Sequence, residues 1–156
     1  MPTSGIVQGM RPLMSYNYGA KLKERMHQIL KVSGLVIAAI LGAGTLLFFI
    51  VPNVLLSLFN ASSGMLEIGE TGLRILSLSF IVSSFGVLMS GVFEALGLGK
   101  YSLIVSLLRQ LLITVPLAYI LLNIMGIEGI WLSFVIAEAI ASIVAYILYR
   151  KKFKTI

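Results

Sequence analysis

Apolar positions along the chain gather into four long runs. Val32 to Val51 holds no charged residue and stops at Pro52-Asn53. Ile75 to Phe93 is uncharged between Arg74 and Glu94. Tyr101 to Ile124 contains a single charge, Arg109, and Gly129 to Tyr149 contains a single charge, Glu138. A helix needs roughly 20 apolar residues to cross about 30 Å of hydrocarbon. Each run meets or approaches that length, so the pattern predicts membrane-spanning helices near 32–51, 73–95, 101–123 and 129–149. The fold class expected is all-α, a polytopic membrane helix bundle.

The connections alternate in charge. Lys21, Lys23, Arg25 and Lys31 precede the first run, and Glu67 and Glu70 lie in the long segment after it. The turn ending at Lys100 is basic, the turn ending at Glu128 is acidic, and the tail Arg150-Lys151-Lys152-Phe153-Lys154 is basic. Successive crossings under the positive-inside rule give this alternation and place the basic ends and the C-terminus in the cytoplasm. Phe48, Phe49 and Trp131 fall at the expected outer ends, and Tyr101, Tyr146 and Tyr149 at the inner ends, where amphipathic rings favour the interface. Ahead of the bundle, residues 1–19 contain Gly5, Gly9, Pro12 and Gly19 and are too broken for a full span. They read as the inner end of a truncated transmembrane helix. Residues 20–31 carry Leu22, Met26, Ile29 and Leu30 on one side and read as an amphipathic cytoplasmic connector. The other reading makes them the solvated start of the first span. Residues 32–149 form the four-helix bundle and 150–156 a basic cytoplasmic tail.

Composition narrows the chemistry. Hydrophobic residues make up 58% of the 156 positions and charged residues 12%, against about 25% charged in a typical soluble domain. Lipid is then the expected solvent. The net charge of +6 sits beside the apolar runs, which points to membrane orientation and not to nucleic acid. With no cysteine, no aspartate and His27 as the only histidine, disulfides, most metal-ligand sets and every Ser-His-Asp arrangement are excluded. No His-Glu-x-x-His motif or aspartate pair supports an intramembrane enzyme, so no enzyme activity, metal or cofactor is expected. The opening Met1-Pro2-Thr3-Ser4-Gly5 lacks the basic start and apolar core of a signal peptide.

Several residues invite a functional reading beside an ordinary one. Pro12 and Pro116 each remove a helix hydrogen bond and are hinge candidates, although membrane helices tolerate proline where neighbours satisfy the freed carbonyl. Ser79, Ser83, Gly86 and Ser90 step by three or four residues along one helix face that Glu94 extends. They are candidates for a substrate-cavity wall, or for close packing through small residues, the reading favoured here. Gly129, Ser133, Ala137, Ala141 and Ala145 repeat every fourth residue and read as packing. The seven methionines show no grouping along the chain and read as ordinary lipid or core contacts.

Arg109 and Glu138 are the charges inside the runs. Glu138 lies nine residues past Gly129, about 14 Å from that end, and Arg109 eight residues past Tyr101, about 12 Å from the other. A charge at such depth costs roughly 2.5–3.5 kcal/mol on insertion scales, so each needs a partner, a cavity or a changed protonation state. Three arrangements remain open. The two side chains pair; Arg109 snorkels toward Glu94; or Glu138 is protonated, bonded to Ser142 or serving as a proton site.

One stretch carries a resemblance. Gly5-Ile6-Val7-Gln8-Gly9-Met10-Arg11-Pro12-Leu13-Met14-Ser15-Tyr16-Asn17-Tyr18-Gly19-Ala20 resembles the G-x-x-Q-G-x-x-P-L-x-S-Y-N-Y-G-A stretch of multidrug and toxic compound extrusion (MATE) transporters. Gly91 to Lys100, followed by Ser106-Leu107-Leu108-Arg109-Gln110 and Pro116-Leu117, is similar to that family's junction between the tenth and eleventh helices. The resemblance implies the end of helix eight and helices nine to twelve of a two-lobed transporter, a partial C-terminal lobe. It implies alternating-access antiport of small organic cations against H+ or Na+ across the plasma membrane, with a missing N-terminal lobe as partner. Alone, the chain is expected to be inactive. The sodium-coupled branch carries an acidic residue within helix ten, and Ile75 to Phe93 has none. The alternatives are part of a lipid-linked sugar flippase of the same superfamily, whose cavity would want several cations where only Arg109 lies deep, and a non-transporting membrane scaffold piece.

Overall fold

The computed structural model describes residues 2–59 and 62–153, and among them every regular element is a helix. In chain order these are α1 (Pro2–Gly19), α2 (Lys23–Ile50), α3 (Pro52–Ser57), α4 (Ser63–Ala95), α5 (Gly99–Met125) and α6 (Ile127–Phe153). Four of them, α2, α4, α5 and α6, are long and apolar enough to cross a membrane. Their outward faces stay apolar: Val32, Leu35, Leu46, Leu111, Leu112, Ile143 and Ile147 are all exposed. Apolar surface on that scale is stable against acyl chains and a liability against water.

Local chemistry sets the ends. Lys21 takes a positive φ of 57°, and the Leu22 N–H bonds to the Asn17 carbonyl at 2.9 Å, which turns the chain from α1 into α2. Pro52 cannot donate a hydrogen bond and pushes Val51 out of the helical region, so α2 stops there and α3 begins on the proline. Gly97 and Gly126 take positive φ values of 71° and 69° in the two tight turns after α4 and α5. Glycine carries that conformation without a Cβ clash. Such short connections make α4, α5 and α6 successive antiparallel neighbours.

One boundary follows the second of the two readings open for residues 20–31, and one differs from the sequence expectation. Residues 23–31 are continuous with the first span, since neither glycine nor proline interrupts Lys31-Val32; α2 is 28 residues, about 42 Å, long. α4 begins at Ser63 instead of near residue 73 and reaches 33 residues, about 50 Å. At about 50 Å the helix is longer than the roughly 30 Å of hydrocarbon, and Glu70 and Arg74 pair one turn apart at 2.7 Å near its start.

α4 is the central element and packs on each of the other helices. Its small residues admit close neighbours. A Cβ added at Gly91 would come within 2.5 Å of Val7, and one at Gly72 within 2.8 Å of the Trp131 ring. Hydroxyls stitch the helices: Thr45 donates to the Ser77 carbonyl at 2.9 Å, Ser142 to the Val82 carbonyl at 3.0 Å, and Ser15 to the Ala95 carbonyl. The densest core lies where α1, α2 and α4 meet, with Met14, Met26, Ile37, Val92 and Phe93 almost fully buried. Here the methionines do group. Met10, Met14, Met26 and Met89 share one cluster, while Met65 and Met125 are exposed. Three separate helices supply them, so nothing along the chain announced the cluster.

A polar cleft and an intramembrane ion pair

Three helices each contribute one polar stripe to a cleft of about 340 Å³. From α1 come Ser4, Gln8 and Arg11; from α4, Ser90 and Glu94; from α5, Ser102, Ser106 and Arg109. Within each set the spacing is three or four residues, the repeat that keeps side chains on one helix face. Glu94 ties the set together. It forms an ion pair with Arg11 of α1 and accepts a 2.8 Å hydrogen bond from the Ser102 hydroxyl of α5. The Arg11 Nε is buried and finds no hydrogen-bond partner among the described residues.

Arg109 owes its placement to a defect in its helix. Pro116 has no N–H and its ring crowds the carbonyl four residues back, Leu112. Just before it, Leu108–Ile113 winds as a π-helix, which inserts extra length into the ladder. Thr114 closes this segment: both its N–H and its hydroxyl, the latter at 2.6 Å, reach the Arg109 carbonyl. The Arg109 side chain then meets Glu138 of α6, with Nη1 3.3 Å from each carboxylate oxygen. A close-set N–H to carboxylate bond is typically about 2.7–2.9 Å, so the pair is loosely held. Both side chains are about one-fifth exposed (23% and 19%). A second cavity of about 360 Å³ lies beside the pair, lined by Gln110, Thr114, Phe134 and Glu138, and Arg109 lines both cavities.

The stripe Ser79, Ser83, Gly86, Ser90 and Glu94 therefore divides. Ser90 and Glu94 line the cleft. Ser79 and Ser83 donate within their own helix, to Leu76 at 2.6 Å and Phe80 at 3.0 Å, and Gly86 packs beside the Ser142 hydroxyl. Arg109 turns to Glu138 and leaves Glu94 to Arg11. Ser142 bonds to α4 and not to Glu138. Pro12 lies inside α1 next to Arg11, and Pro116 follows the π segment. Ser133, Ala137, Ala141 and Ala145 are buried, and Gly129 lies against the Leu121 backbone. Ser4, Gln8, Arg11, Ser102 and Ser106 were not among the candidate site residues, although Gln8, Arg11 and Ser106 stand in the family-like stretches. Their three- and four-residue spacing was the available signal, the same one that picked out the α4 stripe.

Among the described residues no three His, Asp or Glu side chains converge. What the cleft offers is a fixed carboxylate, two guanidinium groups and several hydroxyls. Chemically, such a set can hydrogen-bond or pair with a polar or charged group.

A MatE family model matches residues 1–120. The multidrug export protein MepA of Staphylococcus saprophyticus is 26% identical over 144 residues, covering 92% of this chain and 32% of that protein. Among solved structures, an inward-facing multidrug resistance MATE family transporter of the MOP superfamily matches with TM-score 0.92 at 23% identity, over 99% of this chain and 36% of the other. An outward-facing structure described in the same terms matches with TM-score 0.90 at 23% identity, over 99% and 35%. The chain thus spans about a third of the length of the relatives it matches.

Proposed function

Given that the chain belongs to the MatE family, we propose that it forms part of the C-terminal lobe of a multidrug efflux antiporter. In this reading it exports small organic cations by alternating access, driven by H+ or Na+. The basic ends and the C-terminus face the cytoplasm of a plasma membrane, as the charge alternation requires. The observation that carries the reading is the α1/α4/α5 cleft, a polar groove whose carboxylate, Glu94, lies at the basic end of an otherwise apolar bundle. Glu94 attracts the cationic group of a substrate, Ser90 lends a hydroxyl beside it, and Arg11 and Ser102 hold the carboxylate in place. Arg109 and Glu138 form an exchangeable pair, whose carboxylate is the candidate coupling group in this part of the carrier.

The match to both inward- and outward-facing structures supports rocking of this region as one body. Pro12 and Pro116 remain hinge candidates, with movements small enough to leave the helix arrangement recognisable in either state.

A second reading has one observation in its favour: Arg11 and Arg109 both line the cleft, as an anionic lipid-linked sugar would want. Arg11 is paired with Glu94 within the cleft and Arg109 with Glu138 beside it, so each guanidinium already has a carboxylate partner.

Dye export from proteoliposomes holding the full-length transporter tests the first reading. Glu94→Gln is expected to slow export of a cationic dye at least tenfold and to leave a neutral substrate little affected. Wild-type rates for the cation in that variant would defeat the assignment.

A further inference from the structure

The basic end of the bundle carries a surface the cleft does not use. α2 and α6 both pack on α4 and, among the described residues, not on each other. Between them runs an open groove of about 340 Å³. Phe85, Leu88 and Met89 of α4 form its floor, with His27 and Lys31 of α2 on one wall and Tyr146 of α6 on the other. The groove has two characters. Phe85 and Met89 lie ten and six residues before the end of α4 at Ala95, about 15 and 9 Å from that end, so the floor descends into hydrocarbon. The rim is cationic. Lys31 is exposed on the α2 wall, and the exposed Arg150 guanidinium sits 5.7 Å above the Tyr146 ring on the α6 wall. The stacked ring keeps that charge at the groove edge.

An apolar channel open sideways to lipid takes an acyl chain, and cations at interfacial depth take a phosphate. We propose that this groove is a specific site for an anionic phospholipid of the leaflet at the basic end of the bundle. Lys31 and Arg150 receive its headgroup, and Phe85, Leu88 and Met89 carry one of its acyl chains. A lipid held by the apolar floor alone would be retained regardless of headgroup charge. The rim cations add the discrimination. The site is independent of the transport reading, since none of these side chains lines the α1/α4/α5 cleft.

The test is native mass spectrometry of the full-length transporter, titrated with phosphatidylglycerol and with phosphatidylcholine of identical acyl chains. Phosphatidylglycerol is expected to be retained in preference by roughly five-fold for each rim cation. K31A with R150A should bring the two lipids to parity. K100A removes a charge that sits 5.5 Å above the Tyr101 ring and lies outside the groove, and it should keep the preference. Equal retention of both lipids by the wild type overturns the site. So does an equal loss in K100A, which would mean diffuse charge attraction, or full displacement by inorganic phosphate, which would mean a free-anion site. A photoactivatable phosphatidylglycerol provides a second measurement on the unmutated chain, in case the double variant does not fold. Labelling of the α2, α4 and α6 groove segments supports the site. Labelling elsewhere, or a groove sealed against lipid by another segment of the full-length carrier or by a second copy, refutes it.

Discussion

Arg109 and Glu138 each interrupt an apolar run, and their pairing across α5 and α6 follows from cost. Either charge left alone near mid-bilayer is expensive, whereas removal of both leaves only a void to repack. Arg109→Ala is therefore expected to destabilise the full-length protein by about 3 kcal/mol in a fixed detergent, because it strands a carboxylate. Arg109→Ala with Glu138→Ala should recover much of that loss. Thermal or denaturant unfolding of the four members of this cycle measures the coupling, and strictly additive single effects would show that the two groups ignore each other. This contact was within reach of the sequence, because residue counts from each run's end give both depths. Glu94 and Arg11 form the opposite case. Arg11 sits outside the four runs, in a segment read as the inner end of a truncated transmembrane helix, so its partner on α4 could not be deduced from depth. The buried methionines were hidden for the same reason, since packing gathers them from three helices.

At the scale of elements, the spans were legible because uninterrupted apolar length has one good solution in a bilayer. Their ends were less so. Charged residues after Ser63 looked like loop but continue α4, since a helix outside the hydrocarbon tolerates them and Glu70–Arg74 pairing adds support. The π segment was not legible at all: Pro116 advertises a disturbance, yet nothing in the sequence fixes how the ladder absorbs it. Pro116→Ala tests whether the proline imposes it. With an N–H restored at position 116 and the crowding of Leu112 relieved, the ladder can close at ordinary helical spacing, which would rotate Arg109 relative to Glu138. The expected result is unchanged helix content by circular dichroism with the Arg109–Glu138 coupling reduced toward zero when the same cycle is repeated in that background. An undiminished coupling would show that Thr114 and the surrounding packing hold the π turn without help.

For the whole molecule, the proposed function makes the cleft one face of a solute pathway that the rest of a two-lobed carrier would complete. Vesicles containing only these 156 residues are expected to show no export of a cationic dye above empty controls, under either an imposed proton or a sodium gradient. Gradient-dependent export by this polypeptide would mean that it assembles a pathway from its own copies. The central place of α4 has a consequence for biosynthesis. α1 and α2 leave the ribosome before the helix they both lean on has been made, and the Ser77 carbonyl that receives the Thr45 hydroxyl is among the groups still to come. Until Ser63–Ala95 has entered the membrane, α1 and α2 lack the helix they pack on, and Gly34 has no Leu88 to lie against. Quality control that samples nascent membrane proteins would find a window on this chain in that interval, and a substitution that delays insertion of α4 would lower the yield of folded protein even if the finished packing were unchanged.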